Sequence, residues 1–328
     1  VKIRVIRGKN KCLKICGRRK LMKSIKLFCP ATIANVSCGF DVLGLCLESV
    51  GDTMTITKTA EKGIVISEII GADLPLETDK NVAGVATMAL IEALNPDYGF
   101  SISITKNIKA GSGIGSSAAS AAGAVFGINQ LLGSPLTNKE LIYYAMQGEK
   151  LASGTAHADN VSPALLGGFT LVRSYDPLDV IAITAPGELY ATVIHPQIEL
   201  KTKDARSVLK ESISLKKATI QCGNLGGLIS GLYTSDYDLI GRCLHDELVE
   251  PVRSILIPKF AELKEAAKRA GALGGGISGS GPSVFALSKG EAIAQKVADA
   301  MAAIIRETGI PFEVYVSKIN AEGIKILP

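Results

Sequence analysis

KAGSGIGSSAASAAGAVFGINQLL, residues 109–132, joins three closely spaced glycines to a run of small and apolar residues. Gly111, Gly113 and Gly115 follow a strand-like segment at 100–106, and Ser116 and Ser117 open a helix expected over 116–132. The first amides of a helix have no intrahelical acceptors and sit at the positive end of its dipole, so such an end attracts anions. Glycines let the preceding backbone close around phosphate oxygens without a Cβ in the way. Gly111, Ser112, Gly113, Ile114, Gly115, Ser116 and Ser117 are therefore candidate polyphosphate-binding residues. The same pattern also suits a tight strand-to-helix turn, so the glycines alone carry limited weight. Two familiar loops do not fit. A Walker A loop needs Gly-Lys-Ser/Thr where this chain has Gly115-Ser116-Ser117, and a dinucleotide fingerprint needs an acid about 20 residues on, where residues 130–134 offer none.

Outward from this stretch, short Ile/Val/Thr-rich runs at 25–28, 52–58 and 63–69 predict strands. Helical spacing is found at 81–94, where Asn81 can cap the first turn, and at 137–150, where Thr137 and Glu140 form a capping box. A strand at 169–174 leads to Tyr175-Asp176-Pro177, a plausible boundary between two domains, 22–176 and 177–328. The second half is expected to hold strands at 180–184, 189–194, 284–287 and 312–316. Its helices are expected at 205–209, 221–230, 236–245, 258–270 and 291–307, with another glycine-rich loop at 274–281. Strands and helices mix without strict alternation, which favours an α+β class.

Length and composition set the outer limits. The chain has 328 residues, 47% hydrophobic and 20% charged, enough to bury a sizeable core and consistent with two domains. Its charge of +5 comes from residues 1–21, which hold nine Lys or Arg and no acid; the remainder has 27 basic and 31 acidic residues, a balance of −4. Nucleic-acid binding would rest on that arm alone, and no basic patch with interleaved aromatics follows it. Met22 directly precedes the strand-like SIKLF, so 1–21 is expected to be an extension outside the fold. The seven cysteines (Cys12, Cys16, Cys29, Cys38, Cys46, Cys222 and Cys243) show no CxxC pair or zinc spacing, which predicts buried free thiols. With no signal-like run and no long apolar span, a cytoplasmic protein with no membrane or nucleic-acid partner is expected.

Three motifs carry a family resemblance. GIGSSAA at 113–119 resembles the GLGSSAA heart of the second motif of the galactokinase, homoserine kinase, mevalonate kinase and phosphomevalonate kinase (GHMP) superfamily. PATIANVSCGFDVLGLCL at 30–47 is similar to its first motif in the form found in the homoserine kinase branch, and GGGISGSGPSVFAL at 274–287 to its third. One departure is Lys109-Ala110, where relatives usually carry a proline before the glycines.

The resemblance implies a two-domain α+β GHMP kinase fold, with an N-terminal domain like ribosomal protein S5 domain 2 and a ferredoxin-like C-terminal domain. It implies ATP on the glycine loop, Asn81 near the adenine, and Mg²⁺ at Ser117 and Glu149. Mg²⁺ takes few carboxylates beside phosphate oxygens and water, so one Glu and one Ser suffice. An L-homoserine acceptor brings an ammonium and a carboxylate. Asn35, Asp41, His157, Asp159 and Asn160 could meet the first, and Arg206 and Arg253 could hold the second bidentately. Read singly, Asp41 is a turn former, His157 a polar loop residue, Glu149 a helical carboxylate and the arginines surface charges. In the homoserine branch the matching positions, with Thr202 and Gly279, line the acceptor pocket. That branch has Asn at the position where other members carry a catalytic Asp, here Asn160. The expected chemistry is therefore direct phosphoryl transfer with Ser117, Asp159 and Asn160 at the centre, Asp159 being the alternative base. The resemblance also implies a homodimer. Two alternatives stay open: another GHMP kinase of mevalonate or shikimate type, and a non-catalytic nucleotide-binding protein on the same fold.

Overall fold

The computed structural model describes residues 22–328 apart from 199, 201 and 211, so the expected extension at 1–21 lies outside the described residues. In chain order the first part holds β1 (Ser24–Ala34), β2 (Leu43–Thr59), β3 (Ile64–Ile70), α1 (Val82–Leu94), β4 (Gly99–Thr105) and α2 (Ser116–Leu131), then α3 (Asn138–Ser153), α4 (Val161–Leu166), β5 (Phe169–Tyr175) and β6 (Leu178–Ile183). The remainder holds β7 (Leu189–Pro196), α5 (Thr202–Ser207), α6 (Leu215–Thr234), α7 (Tyr237–Cys243), α8 (Glu250–Arg253), α9 (Phe260–Arg269), β8 (Gly274–Ile277), β9 (Val284–Lys289), α10 (Glu291–Arg306), β10 (Phe312–Lys318) and β11 (Lys325–Leu327).

The first sheet runs β11-β1-β2-β4-β3, with β5 on the other half of the long β2 and β6 beyond it. Every pair is antiparallel except β3 with β4. β1 outruns the expected 25–28 because the register shifts between Pro30 and Thr32, a bulge that lets a strand tolerate proline and continue into the first motif. α2 lies flat on this sheet, since Ala118, Ala119, Ala121 and Ala122 are all fully buried and none holds the helix away. α3 starts at the capping box read from Thr137 and Glu140.

The second sheet is antiparallel in the order β10-β7-β9-β8. With its crossover helices this is the β-α-β-β-α-β arrangement of ferredoxin-like domains. One face of it (Ala191, Val193, Phe285, Leu287) joins the core of the first sheet, and the other (Ile194, Val284, Ala286) packs under Leu263, Val297, Met301 and Ile305 of α9 and α10.

Other expectations shift as well. Asp176-Pro177 is the turn of the β5–β6 hairpin, whose strands stay paired from Phe169 with Ile183 to Tyr175 with Leu178, so the chain leaves the first sheet only after Ile183. The glycine-rich 274–281 begins as β8, because glycines without side chains can still pair along β9. The helix expected at 221–230 extends over Leu215–Thr234, capped by Ser214. Cys29, Cys38, Cys46 and Cys243 are buried free thiols, whereas Cys222 is exposed on α6; Cys12 and Cys16 lie outside the described residues. Among the described residues no helix is long and apolar enough to cross a membrane.

Candidate active site

The three motifs meet at the start of α2. Thr32 N–H, from β1, donates to Ile114 O at 3.1 Å. From the far side Ser278 Oγ donates to Gly113 O at 2.7 Å and Ser283 Oγ to Ser112 O at 2.6 Å. Gly279 N–H closes the ring on Ala34 O at 3.2 Å. A Cβ on Gly113 would stand 2.5 Å from Gly281 O, and one on Gly115 2.0 Å from Thr32 Oγ1, and both residues have left-handed φ (83° and 71°). Only glycine meets both demands.

α1, α3 and α6 are capped by the side chains of Asn81, Thr137 and Ser214, but no side chain caps α2. α4, α8, α9 and α10 also lack a side-chain cap, but the first residues of α2, Ser116 and Ser117, face a cavity, where their amides can meet an anion. Beside them lies Lys106, buried, with Nζ paired to the Asp52 carboxylate and donating to Ser116 O at 2.9 Å and Ser120 Oγ at 3.1 Å. Asp52 is held in turn by the Asn107 and Ile108 amides at 2.7 and 2.9 Å. A single Lys in a strand gave no sequence signal for this pair, because Asp52 is 54 residues away and only the β2–β4 pairing joins them.

These groups open onto a cavity of about 340 Å³. Asn35, Asp41, Gly111, Ser112, Gly113, Gly115, Ser116, Ser117, Glu149, His157, Asp159, Asn160, Arg206, Arg253 and Gly279 all line it, as do Lys106 and Phe40. Three expected residues stand apart. Ile114 is fully buried in the core and offers only its backbone. Asn81 spends its amide on the α1 cap (Ala83 N, 2.9 Å) and on Pro75 O at 2.8 Å, leaving its neighbour Val82 to reach the cavity. Thr202 opens α5, and its side chain lies outside what is described.

Two carboxylates face the cavity from buried positions. Glu149 is pushed up to about 7 by burial, against a hydrogen bond from Ser117 that pulls it down. Asp159 is likewise raised to about 7, by burial first and then by Asp41 and Glu149, and its Oδ1 has no hydrogen-bond partner. Asn160 Oδ1 accepts from Thr32 Oγ1 at 2.7 Å, which fixes the amide beside the glycine loop. Among the described residues no group of three or more His, Cys, Asp or Glu could hold a metal. The Glu149–Ser117 pair fits Mg²⁺ differently, as one carboxylate and one hydroxyl beside the glycine cradle, and the desolvation that raises Glu149 is a cost that a cation there would offset.

The opposite end of the cavity is built on a contorted loop. Asn35, Val36 and Ser37 all have left-handed φ (70°, 40°, 64°), a costly run for non-glycine residues. Asn35 holds it, donating to Gly279 O at 2.7 Å and accepting from Asp41 N at 3.0 Å. Tyr175 Oη donates to Asp41 O at 3.0 Å. Asp41 is thereby presented to Arg206, whose terminal nitrogen also lies 3.1 Å from His157 Nε2. Burial lowers the His157 pKa, with Asp41 opposing and Arg206 reinforcing the shift. Arg253 is buried, with Nε donating to Ala205 O at 2.7 Å.

Residues 81–168 match the GHMP kinases N terminal domain, and 228–306 the GHMP kinases C terminal domain. A homoserine kinase of Chloroherpeton thalassium is 47% identical over 319 residues, covering 93% of this chain and 100% of that protein. A homoserine kinase of Chlorobium phaeobacteroides is 46% identical over 93% of this chain and 100% of its own length. The crystal structure of homoserine kinase from Cytophaga hutchinsonii superposes with a TM-score of 0.92 at 49% identity, over 95% of this chain and 100% of that one.

Proposed function

We infer the reaction from the family: this chain belongs to the homoserine kinases, a branch of the GHMP kinases, and it transfers the γ-phosphoryl group of ATP to the side-chain hydroxyl of L-homoserine. The observation that carries the reading is the cavity itself. An uncapped helix start with a glycine cradle lies at one end, and a set of both charges, Asp41 with Arg206 and Arg253, at the other.

In this reading the amides of residues 111–117 grip the polyphosphate, and Lys106, paired with Asp52, holds the same helix end in place through Ser116 O. Ser117 and Glu149 would hold Mg²⁺, which when bound offsets the negative charge of the phosphates. Asp41 takes the acceptor ammonium, Arg206 and Arg253 take its carboxylate, and Asn35 and Gly279 keep the loop in shape. Asn160, fixed by Thr32, orients the hydroxyl. The hydroxyl oxygen forms a bond to the γ-phosphorus as the bond to the bridging oxygen of the leaving diphosphate breaks. The proton departs with the transferred phosphoryl oxygens. Such transfer draws mainly on positioning and electrostatics, so an amide at Asn160 suffices.

A second reading gives the proton to Asp159, favoured by its unpartnered buried Oδ1 and a carboxyl raised to about 7. The deciding experiment for the function is an ATP-coupled assay across L-homoserine, mevalonate and shikimate. Turnover with L-homoserine alone is expected; turnover with another acceptor instead, or with none, would overturn the reading. A homodimer is implied by the same family likeness, and sedimentation of the purified protein tests it.

A further inference from the structure

We propose that Phe40 is a positioning residue for the carboxylate end of the acceptor, its ring holding the Arg206 and Arg253 guanidiniums together at one side of the cavity. The inference rests on the acceptor reading above and accounts for how two like charges share that end.

The central guanidinium carbon of Arg253 lies 5.3 Å from the Phe40 ring centroid, and that of Arg206 lies 5.7 Å away. Both are within reach of the negative face of the π-system. The need is unequal. Arg206 has the Asp41 carboxylate, with both oxygens at 2.9 Å. Arg253, only 3% exposed, donates to two backbone carbonyls, Ala205 O at 2.7 Å and Gly279 O at 3.4 Å. Among the described residues no carboxylate is within ion-pairing distance of it. Burial and then the charge of Arg206 depress its pKa, with the more distant Asp41 and Asp246 carboxylates acting the other way, so the two cations oppose each other. A buried, hydrogen-bonded cation with no direct ion pair among the described residues is a strong receptor for a carboxylate, provided something keeps it in place before the carboxylate arrives.

The ring supplies that hold. Phe40 itself lines the cavity, and its backbone is fixed through Asp41, which donates to Asn35 Oδ1 and accepts from Tyr175 Oη. Arg253 is tied to Ala205, the residue before Arg206 on α5. Ring, Arg253, α5 and Arg206 are thus joined in one set of contacts, and loss of the ring's negative face removes the element that the two guanidiniums share.

The test compares L-homoserine with 3-aminopropan-1-ol, the same acceptor without its carboxylate, measured as a competitive inhibitor. Phe40→Leu keeps apolar bulk and removes the ring. The KM for L-homoserine should rise about tenfold while kcat, the KM for ATP and the inhibition constant of the amino alcohol stay within about twofold. Phe40→Tyr should retain the parent KM. Phenylalanines carrying one, two and three ring fluorines, placed at residue 40 alone, keep the shape and weaken the face stepwise, so the L-homoserine KM should climb with each fluorine even if Phe40→Leu fails to fold. An unchanged KM along that series, or equal losses for L-homoserine and the amino alcohol, overturns the inference. A parent protein that leaves L-homoserine unphosphorylated overturns the functional reading together with it, which tells the two failures apart.

Discussion

A terminal nitrogen of Arg206 donates to both carboxylate oxygens of Asp41, each at 2.9 Å, across 165 residues of chain. The two groups assigned to opposite ends of an amino-acid acceptor therefore neutralise each other when no acceptor lies between them. A zwitterion exchanges one ion pair for two, so the site needs no net change of charge to accept it. The pair is partly exposed (39% and 30%), and its worth comes from this matching more than from stability.

Removing either member should act on acceptor binding. Asp41→Asn and Arg206→Ala each lose charge-assisted hydrogen bonds of about 1.5–3 kcal/mol, or roughly 10- to 150-fold in kcat/KM for L-homoserine. The KM for ATP should stay within about threefold. Steady-state kinetics with each substrate varied in turn check this, and a loss shared equally by both substrates would contradict the assignment.

Gly115→Ala tests the cradle. Its φ of 71° and a Cβ 2.0 Å from Thr32 Oγ1 leave no room for a methyl group without moving the loop. We expect the KM for ATP to rise at least about tenfold and stability to fall by about 1–3 kcal/mol. Gly133→Ala is the control, with a similar φ of 89° but nothing within 4 Å of the added Cβ, so it should carry only the backbone cost and leave ATP affinity intact. Thermal unfolding and ATP titration separate the two effects.

pH should move activity and stability in opposite directions. Burial holds Glu149 and Asp159 near 7, above the range of unfolded carboxylates. The native state then keeps protons that the unfolded chain has released, so this stabilisation is full below about pH 4 and is lost as pH rises through about 7. Activity, which in the proposed reading needs ionised Glu149, should rise over the upper part of that window. Thermal melts at several pH values without Mg²⁺, for the parent and Glu149→Gln, measure the first; the substitution should flatten the trend. Rates in the same window measure the second.

Asp159→Asn discriminates between direct transfer and a base. Direct transfer predicts a change mainly in acceptor KM, with kcat within about tenfold. If Asp159 takes the proton, kcat drops by about 10²–10⁴ with KM little changed. Single-turnover rates at saturating L-homoserine decide the matter.

Lys106→Met should be costly to the fold. The Lys106–Asp52 pair is buried on both sides (2% and 1%), and removing one partner strands the other's charge. The expected loss is about 3–5 kcal/mol. Adding Asp52→Asn should recover part of it, because the side-chain oxygen of Asn can still accept from the Asn107 and Ile108 amides. Denaturant melts of the parent, both single variants and the double variant give the coupling.

Local chemistry was legible wherever neighbours in sequence act together. The capping box of Thr137 and Glu140, the Asn81 cap and the turn at Gly111–Gly115 each depend on residues a few positions apart, and each stands where its pattern predicts. Patterns failed where a distant partner decides the outcome. Gly274–Gly276 look like a loop until β9 pairs with them, and Asp176-Pro177 looks like a domain boundary until β6 turns back onto β5. Asn81 shows both sides: its cap was read correctly, but the folded chain spends the rest of its amide on Pro75 and turns it from the cavity.

The sequence by itself determined the kinship, the glycine turn ahead of α2 and most of the residues that line the cavity, because glycine freedom, helix capping and charge type are properties of single residues and short spans. Only the tertiary structure decided the electrostatics. Lys106 reaches Asp52 over 54 residues, Arg206 reaches Asp41 over 165, and Asp159 and Glu149 rise to about 7 only once packing strips water from them. Ionisation and ion pairing depend on distance and burial in space, and neither is written in any short stretch of the chain.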